Sequence, residues 1–400
     1  MSAPTQSPQS RLPRLTAVLR DGERVTSLEL FFDLVFVLAL TQCTALMART
    51  PTWEGLLKGL LVLGVLWWSW AGYAWLTSVV DPEEGSVRLA MFAAMAAFLV
   101  AALCVPRAFG ADALLFACAY AAVRTAHIAL FMLASRDDAA LRHSVLGLAV
   151  STAIGVGLLV AASFASGTPQ LGIWGLALLL DVGAPFLFGA DGWKLVPGHF
   201  AERHGAIIII ALGESIVAIG AGTSAGVNGG VVAAAVLGIV VAGAMWWLYF
   251  DVVAIVAARR LSKASEGRAR NDIARDSYSY LHFPMVAGIA LVAVGLKKTL
   301  GHVDDPLDLV PAAAMLGGGA LYLLAHVAFR WRNLHTLNRQ RLICAAALAA
   351  LLLADAQLKP PSLATLGVLA GLLTALIVYE ATRFAELRDR VRHQLAREGV

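Results

Sequence analysis

The chain has 400 residues, of which 59% are hydrophobic and only 14% are charged, and its formal net charge is +4. A soluble domain usually has about 25% charged residues, so this composition excludes a chain whose whole surface faces water. It is typical of a protein that crosses a membrane many times, because one spanning helix needs about 20 mostly apolar residues. The basic residues lie in the loops between apolar runs, which indicates membrane topology rather than nucleic acid as the reason for the positive charge.

Twelve apolar runs, separated by charged residues or by Gly and Pro, predict twelve transmembrane helices. The runs are continuous and lack the alternation of a membrane β-strand, so the predicted fold class is an all-α polytopic membrane protein. Residues 1–26 contain no hydrophobic signal-peptide core and are expected to form a cytoplasmic tail. The predicted helices span 27–48, 55–79, 87–105, 111–134, 145–163, 171–189, 201–222, 231–250, 280–298, 311–329, 341–357 and 363–383.

The distribution of Lys and Arg predicts how these helices cross the membrane. With the tail inside, 24 of the 31 basic residues fall on the cytoplasmic side and 6 on the outer side, while Arg124 lies within a helix. This asymmetry follows the positive-inside rule and predicts that both termini, including residues 384–400, are cytoplasmic. The largest cytoplasmic loop is then 258–276, for which an amphipathic helix on anionic lipid and a solvated linker are equally good interpretations.

Two sequence patterns occur twice and indicate an internal duplication. "FFDLVFVLAL" contains Asp33 and "LGESIVAIGA" contains Glu214, and in both the acid precedes small and aliphatic residues. A tryptophan-rich stretch follows each, "WWSWAGYAW" in one case and "WWLYFD" in the other, and the two offsets are 181 and 179 residues. Because each unit would contain six helices, the first half (27–189) and the second half (190–383) are expected to run parallel through the membrane.

Ionisable residues inside the predicted helices are the candidate functional residues. A charge at mid-membrane costs about 2.5–3.5 kcal/mol on insertion scales, so such residues are expected to face other helices or water rather than lipid. No cofactor is expected, and the Cys and His spacings predict no metal site. The candidate cluster for transport or binding consists of Glu29, Asp33, Arg124, His127, Asp181, His199, Glu202, Arg203, Glu214, Asp251 and His282.

Charge complementarity predicts partners for the two buried arginines. Arg203 is expected to face Glu29 or Asp33 in the first helix. Arg124, which shares one helix face with His127, is expected to face an acid of the sixth or the seventh helix, Asp181 or Glu214. Glu202 is adjacent to Arg203 and therefore points in another direction, so we expect it to have a different partner.

Four segments resemble those of the bacterial low temperature requirement A (LtrA) family: "VTSLELFFDLVFVLALTQ", "HFAERHGAIIIIALGESIVAIG", "WWLYFD" and "YLHFPMVAGIALVAVGLKK". They are distributed over nearly the whole chain. The resemblance implies a multi-pass protein of the bacterial inner membrane, and it implies no particular biochemistry. The residues that match the family's motif positions are Glu29, Asp33, His199, Glu202, Arg203, Gly205, Gly213 and Glu214.

The first helix also resembles that of the lysosomal and bacterial potassium channels built from six helices repeated twice. Those channels have an Asp followed by a small and aliphatic run, and "DLVFVLALT" from Asp33 to Thr41 is similar. They differ from this chain in having a Ser near the Asp and in having no HxxER segment, which argues against conduction.

Three functional hypotheses follow. The first is conduction or transport of a small ion or solute, because ionisable residues within spans commonly line such pathways. The second is an intramembrane enzyme acting on a lipid or prenyl-type substrate at the cytoplasmic face, since the acids and histidines are suited to acid–base work. The third is a set of structural salt bridges without chemistry. Membrane lipids are the expected partners, nucleic acid is not, and a homo-oligomer is among the states the sequence allows.

Overall fold

The computed structural model of the chain describes residues 24–188, 192–222 and 228–383. Among these residues, twelve helices are long and apolar enough to cross a membrane, and these twelve agree with the predicted all-α polytopic fold. The predicted tail 384–400, and all but the last three residues of the predicted tail 1–26, lie outside the described ranges.

The twelve long helices divide into six in each predicted half. Those of the first half are α1 (Ser27–Arg49), α2 (Trp53–Thr77), α3 (Gly85–Cys104), α4 (Ala113–Ala134), α5 (Ala139–Ala162) and α6 (Gly167–Phe188). The second half contains α7 (Pro197–Gly222), α8 (Gly229–Phe250), two short helices α9 (Val253–Ser262) and α10 (Arg268–Ile273), and then α11 (His282–Gly301), α12 (Leu309–Leu334), α13 (Arg339–Leu358) and α14 (Ser362–Arg383).

The segment 258–276 is mostly helical, because α9 and α10 occupy it and a π-helical turn, Ala274–Tyr280, joins α10 to α11, so a helix is the better of its two interpretations. Helices α5 and α6 begin at Ala139 and Gly167, six and four residues before their predicted starts. The hydrophobic side chains of Ala257 and Leu261 in α9 are buried against the rest of the protein. In addition, α7 begins at Pro197 rather than at residue 201, so the HxxER segment forms the first two turns of a helix.

The same helix pairs pack together in the two halves. In the first half α1 contacts α2 and α3, α3 contacts α4, α4 contacts α5, and α6 contacts α5 and α2. In the second half α7 contacts α8 and α11, α11 contacts α12, α12 contacts α13, and α14 contacts α13 and α8. This correspondence is the arrangement that a duplicated six-helix unit would give, and it supports the predicted division, which stays a prediction.

The two halves meet around α1, α7 and α11. Helix α11 contacts α1, α2, α7, α8, α12 and α14, and it is the central helix of the second half. Its Gly288 approaches Gly318 of α12 so closely that a Cβ on either would lie 2.7 Å from the other's carbonyl oxygen. Only glycine fits this crossing, which is the small-residue packing by which membrane helices approach each other.

Candidate functional site

Four of the predicted site residues contact one another at one end of the bundle, where α1 and α7 begin and α2 ends. We call the end that the basic residues predict to be cytoplasmic the inner end. The residues that meet there form the central cluster: Glu29, Asp33, Trp70, Thr77, His199 and Arg203. The Glu29, Asp33, His199 and Arg203 side chains are fully buried, so their charges interact with each other rather than with water.

Arg203 binds both acids of the first helix. Its Nη1 donates to Glu29 Oε1 at 2.9 Å and its Nη2 donates to Asp33 Oδ1 at 3.1 Å. The guanidinium also hydrogen-bonds the hydroxyl of Thr77 and lies 5.8 Å from the centre of the Trp70 ring. The prediction that Arg203 faces Glu29 or Asp33 is therefore met by both acids at once.

Glu29 has two structural roles, which explains an acid in an apolar helix. With Thr26 it forms a capping box: the Thr26 side chain accepts from the Glu29 amide, and Glu29 Oε2 accepts from the Thr26 amide at 2.9 Å. Its other oxygen, Oε1, accepts from Arg203 and interacts with His199 Nε2 at 2.9 Å. The N-terminus of α1 and the start of α7 are thus tied to one carboxylate.

The carboxylate of Asp33 has fewer of its oxygen atoms hydrogen-bonded than that of Glu29. Its Oδ1 accepts from Arg203 and from Trp70 Nε1, the latter at 2.7 Å, whereas Oδ2 has no hydrogen-bond partner among the described residues. His199 Nδ1 has none there either. In the described part of the chain, two carboxylates of the central cluster therefore share one guanidinium, and the imidazole of His199 lies against Glu29.

A third carboxylate, Glu214, lies deeper along the contact between α1 and α7. It follows Arg203 by eleven residues, which is about 16 Å along α7. Thr41 donates to Glu214 Oε2 and Thr44 donates to Oε1, and both threonines belong to α1. Since contacts advance in the same direction along both helices, α1 and α7 run parallel, as the predicted repeat requires.

Glu214 differs from the other buried acids in its electrostatic surroundings. Its side chain is fully buried, and within the described residues it forms no salt bridge, although Lys297 of α11 attracts the carboxylate from a longer distance. A negative charge at this depth without a cation in contact is disfavoured. The charge of Glu214 is therefore compensated less directly than that of the acids paired with an arginine.

Arg124 and Asp181 form a separate pair inside the first half. Arg124 Nη2 donates to Asp181 Oδ1 at 2.9 Å and to Thr152 Oγ1 at 2.6 Å, and Tyr120 donates to Asp181 Oδ2 at 3.0 Å. Of the two predicted partners, Asp181 is correct and Glu214 is wrong. His127, one turn after Arg124, is buried between aromatic rings and does not join the central cluster.

The remaining predicted residues lie outside the central cluster. His282 is buried, donates from Nδ1 to the Ser277 carbonyl at 2.9 Å and accepts the Tyr249 hydroxyl at Nε2. Glu202 is exposed, and its carboxylate accepts from the Val25 amide at 3.3 Å. Asp251 is partly exposed after the end of α8. The described residues contain no group of three or more His, Cys, Asp or Glu side chains arranged to hold a metal ion.

Sequence reasoning missed a third pair, between α13 and α14, in which Arg341 is buried and Glu380 is partly exposed. Arg341 donates to both oxygens of Glu380, from Nε at 3.0 Å and from Nη2 at 2.8 Å, and its Nη1 interacts with His326 Nδ1 at 2.9 Å. Glu380, an acid inside the last predicted helix 363–383, could have indicated this pair. Arg341 is the first residue of the predicted helix 341–357, where a basic residue agrees with the positive-inside rule without needing an acidic partner.

These features define a polytopic all-α membrane protein with ion pairs buried between its helices. The model of the bacterial low temperature requirement A (LtrA) protein family matches residues 24–378, and the chain belongs to this family. This chain is 30% identical over 315 residues to an uncharacterized protein of Rhizobium meliloti, and the alignment covers 76% of each of the two proteins. No solved structure matches the chain.

Proposed function

We propose that this protein is a carrier that exchanges protons across the membrane, with the contact between α1 and α7 as its pathway. The observation that carries the proposal is the unequal charge balance along this contact. The central cluster has two acids for one arginine, and Glu214 forms no salt bridge within the described residues. At both positions the acids in direct contact outnumber the arginines, and a proton is the smallest ion that can offset this between hydrogen-bonded groups.

The surroundings of Glu214 suit a proton better than a larger cation. Thr41 and Thr44 contact one carboxylate oxygen each, and a threonine hydroxyl can either donate or accept. The two hydroxyls can therefore satisfy the carboxyl group in both protonation states by rotating. A metal cation would instead need about six oxygen ligands, more than these three side chains supply.

Burial favours a carrier over an open channel. The Glu214 and Thr44 side chains are almost completely buried, and so are the acids of the central cluster. Exchange with water on either side therefore requires a conformational change, and parallel halves that meet at α1, α7 and α11 offer a boundary along which the two units can move. For the charge-balanced pair of Arg124 and Asp181, a structural role is the better explanation.

A flux measurement in liposomes tests this proposal. Purified protein is reconstituted with a pH-sensitive dye inside, and a potassium gradient with valinomycin drives protons inward. The wild type is expected to acidify the lumen, and Glu214→Gln is expected to abolish this because an amide cannot take up and release a proton. Glu202→Gln is the matched control, since it makes the same change at an exposed position of the same helix.

The proposal fails if Glu214→Gln transports protons as fast as the wild type. It also fails if the wild type moves none above protein-free liposomes. If the wild type instead turned over an added lipid or prenyl substrate, the enzyme hypothesis would replace it. Size-exclusion profiles of both variants show whether a lost flux reflects lost folding.

A further inference from the structure

A mostly apolar cavity with several charged and polar side chains in its lining lies at the inner end of the second half, distinct from the central cluster. It has a volume of about 200 Å³ and is enclosed by the inner ends of α8, α9, α12, α13 and α14. A smaller cavity of about 70 Å³ is lined by α2, α4, α5 and α6 together with Trp193, Arg275 and Ser279. Because a cavity of about 150 Å³ can hold benzene, the larger cavity can hold a small organic molecule.

Three polar side chains of α12 face this cavity from one side. His326, Arg330 and Asn333 are spaced by four and three residues, which places them on one helix face. His326 is 1% exposed and Asn333 is 4% exposed, while Arg330 is half-buried. All three line the cavity.

His326 offers a hydrogen-bond donor that has no partner. Arg341 donates from Nη1 to His326 Nδ1 at 2.9 Å, and a guanidinium can only donate, so Nδ1 must accept. The proton of the neutral ring is therefore on Nε2. Within the described residues Nε2 has no hydrogen-bond partner.

Asn333 offers an acceptor in the same way. Its Nδ2 donates to the Phe329 carbonyl at 2.8 Å, which fixes the orientation of the amide because a carbonyl can only accept. The amide oxygen Oδ1 is then left without a partner among the described residues. A buried acceptor and a buried donor without partners are each costly, and a ligand that satisfies both removes this cost.

Arg330 supplies the charge. In the described part of the chain its guanidinium makes one hydrogen bond, from Nε to Thr336 Oγ1 at 3.0 Å, and no ion pair. Two acids also line the cavity, and neither is without a partner: Glu380 is bound through both oxygens by Arg341, and Asp251 at the end of α8 has a contact of its own. The guanidinium of Arg330 is thus available for an anionic group of a ligand.

We propose that this cavity binds a phosphate ester with a free hydroxyl group, such as a glycerol phosphate. The phosphate oxygens accept from Arg330 and from His326 Nε2, and the hydroxyl donates to Asn333 Oδ1. The apolar side chains of Val252 and Val256, which also line the cavity, fit the carbon skeleton. The same group occurs free in solution and as the headgroup of phosphatidylglycerol, and the position at the predicted cytoplasmic end is accessible to both.

Calorimetric binding to the full-length protein tests this site. The protein is placed in nanodiscs of phosphatidylcholine and titrated with glycerol 3-phosphate, with glycerol as the uncharged comparison. Arg330→Gln and Asn333→Leu are each expected to weaken binding about tenfold or more. Arg339→Gln is the matched control, because Arg339 is exposed on the same end of the protein and does not line the cavity. Glu214→Gln should bind normally, which separates this site from the transport proposal.

A second arm distinguishes the two sources of the ligand. If nanodiscs that contain phosphatidylglycerol abolish the heat of glycerol 3-phosphate binding, the lipid headgroup occupies the site. If binding is unchanged, the ligand is the soluble ester. The proposal is overturned if glycerol 3-phosphate binds no better than glycerol and phosphatidylglycerol does not associate with the purified protein. It is equally overturned if Arg330→Gln and Asn333→Leu bind as tightly as Arg339→Gln.

Discussion

Buried charges are paired one to one within each half but not at the contact between the two halves. Inside the halves, Arg124 is matched by Asp181 and Arg341 by Glu380, each with further hydrogen bonds to the carboxylate. Between the halves, Arg203 is shared by two acids, and Glu214 is held by threonine hydroxyls. Balanced pairs hold helices together, whereas an unbalanced group can gain and lose a positive ion.

The largest effect is expected from removing the shared arginine. Arg203→Met leaves Glu29 and Asp33 buried without their cation, which should cost about 3–5 kcal/mol and eliminate most folded protein. Thermal unfolding in detergent measures this. Adding Glu29→Gln and Asp33→Asn to the same variant should restore much of the stability but not the proton flux. A triple variant that transported protons would contradict the role assigned to the central cluster.

The balanced pair of the first half provides the sharpest contrast. Asp181→Asn should destabilise the protein by about 3 kcal/mol, because Arg124 then keeps its charge without a counter-ion. Replacing both residues, Arg124→Met with Asp181→Leu, should recover most of that loss. The double variant is expected to transport protons at the wild-type rate in liposomes. If it lost flux while remaining folded, this pair would belong to the pathway as well.

A smaller effect is expected at the threonines that hold Glu214. Thr44→Val keeps the side-chain shape and removes one hydrogen bond, which should cost about 1 kcal/mol in unfolding free energy. The proton flux should fall more than this loss of stability explains, because the hydroxyl that rotates with the protonation state is gone. Thr152→Val, which removes a hydroxyl beside Arg124, is the comparison and should leave the flux unchanged.

The smallest effect is expected at a charge outside the spanning helices. Asp138 caps α5 through the Leu141 amide and pairs with Lys194 at 3.0 Å, and these contacts lower the pKa of its carboxyl group. A lowered pKa means that its contribution is present above the ordinary value, about 4, and is lost as the pH falls through the folded value. Asp138→Asn keeps the cap and should cost only about 0.3 kcal/mol at neutral pH.

The unfolding temperature checks this assignment. The difference between the wild type and Asp138→Asn should shrink towards zero as the pH is lowered from neutral to strongly acidic. A difference that stays constant over this range would show that the charge of Asp138 contributes nothing. Asp138→Ala, which also removes the cap, should cost about 1 kcal/mol.

The sequence by itself determined the helices and most of the buried charges. An apolar run of about 20 residues has one stable state in a bilayer, so all twelve spans could be predicted, although α5, α6 and α7 begin earlier than expected. The cost of charge in lipid directed attention to the acids and arginines, and charge complementarity reduced the partners of Arg203 and of Arg124 to two each.

The tertiary structure alone decided which of these partners meet. Arg203 and Glu29 are 174 residues apart, and Arg124 and Asp181 are 57 apart, so their contacts depend on how the helices pack and not on local periodicity. Packing also placed Thr41 and Thr44 on Glu214 and brought Arg341 to Glu380, which no spacing in the sequence indicates. The hydrophobicity of a segment is enough to place that helix in the membrane, whereas the pairing of charges depends on which helices pack together.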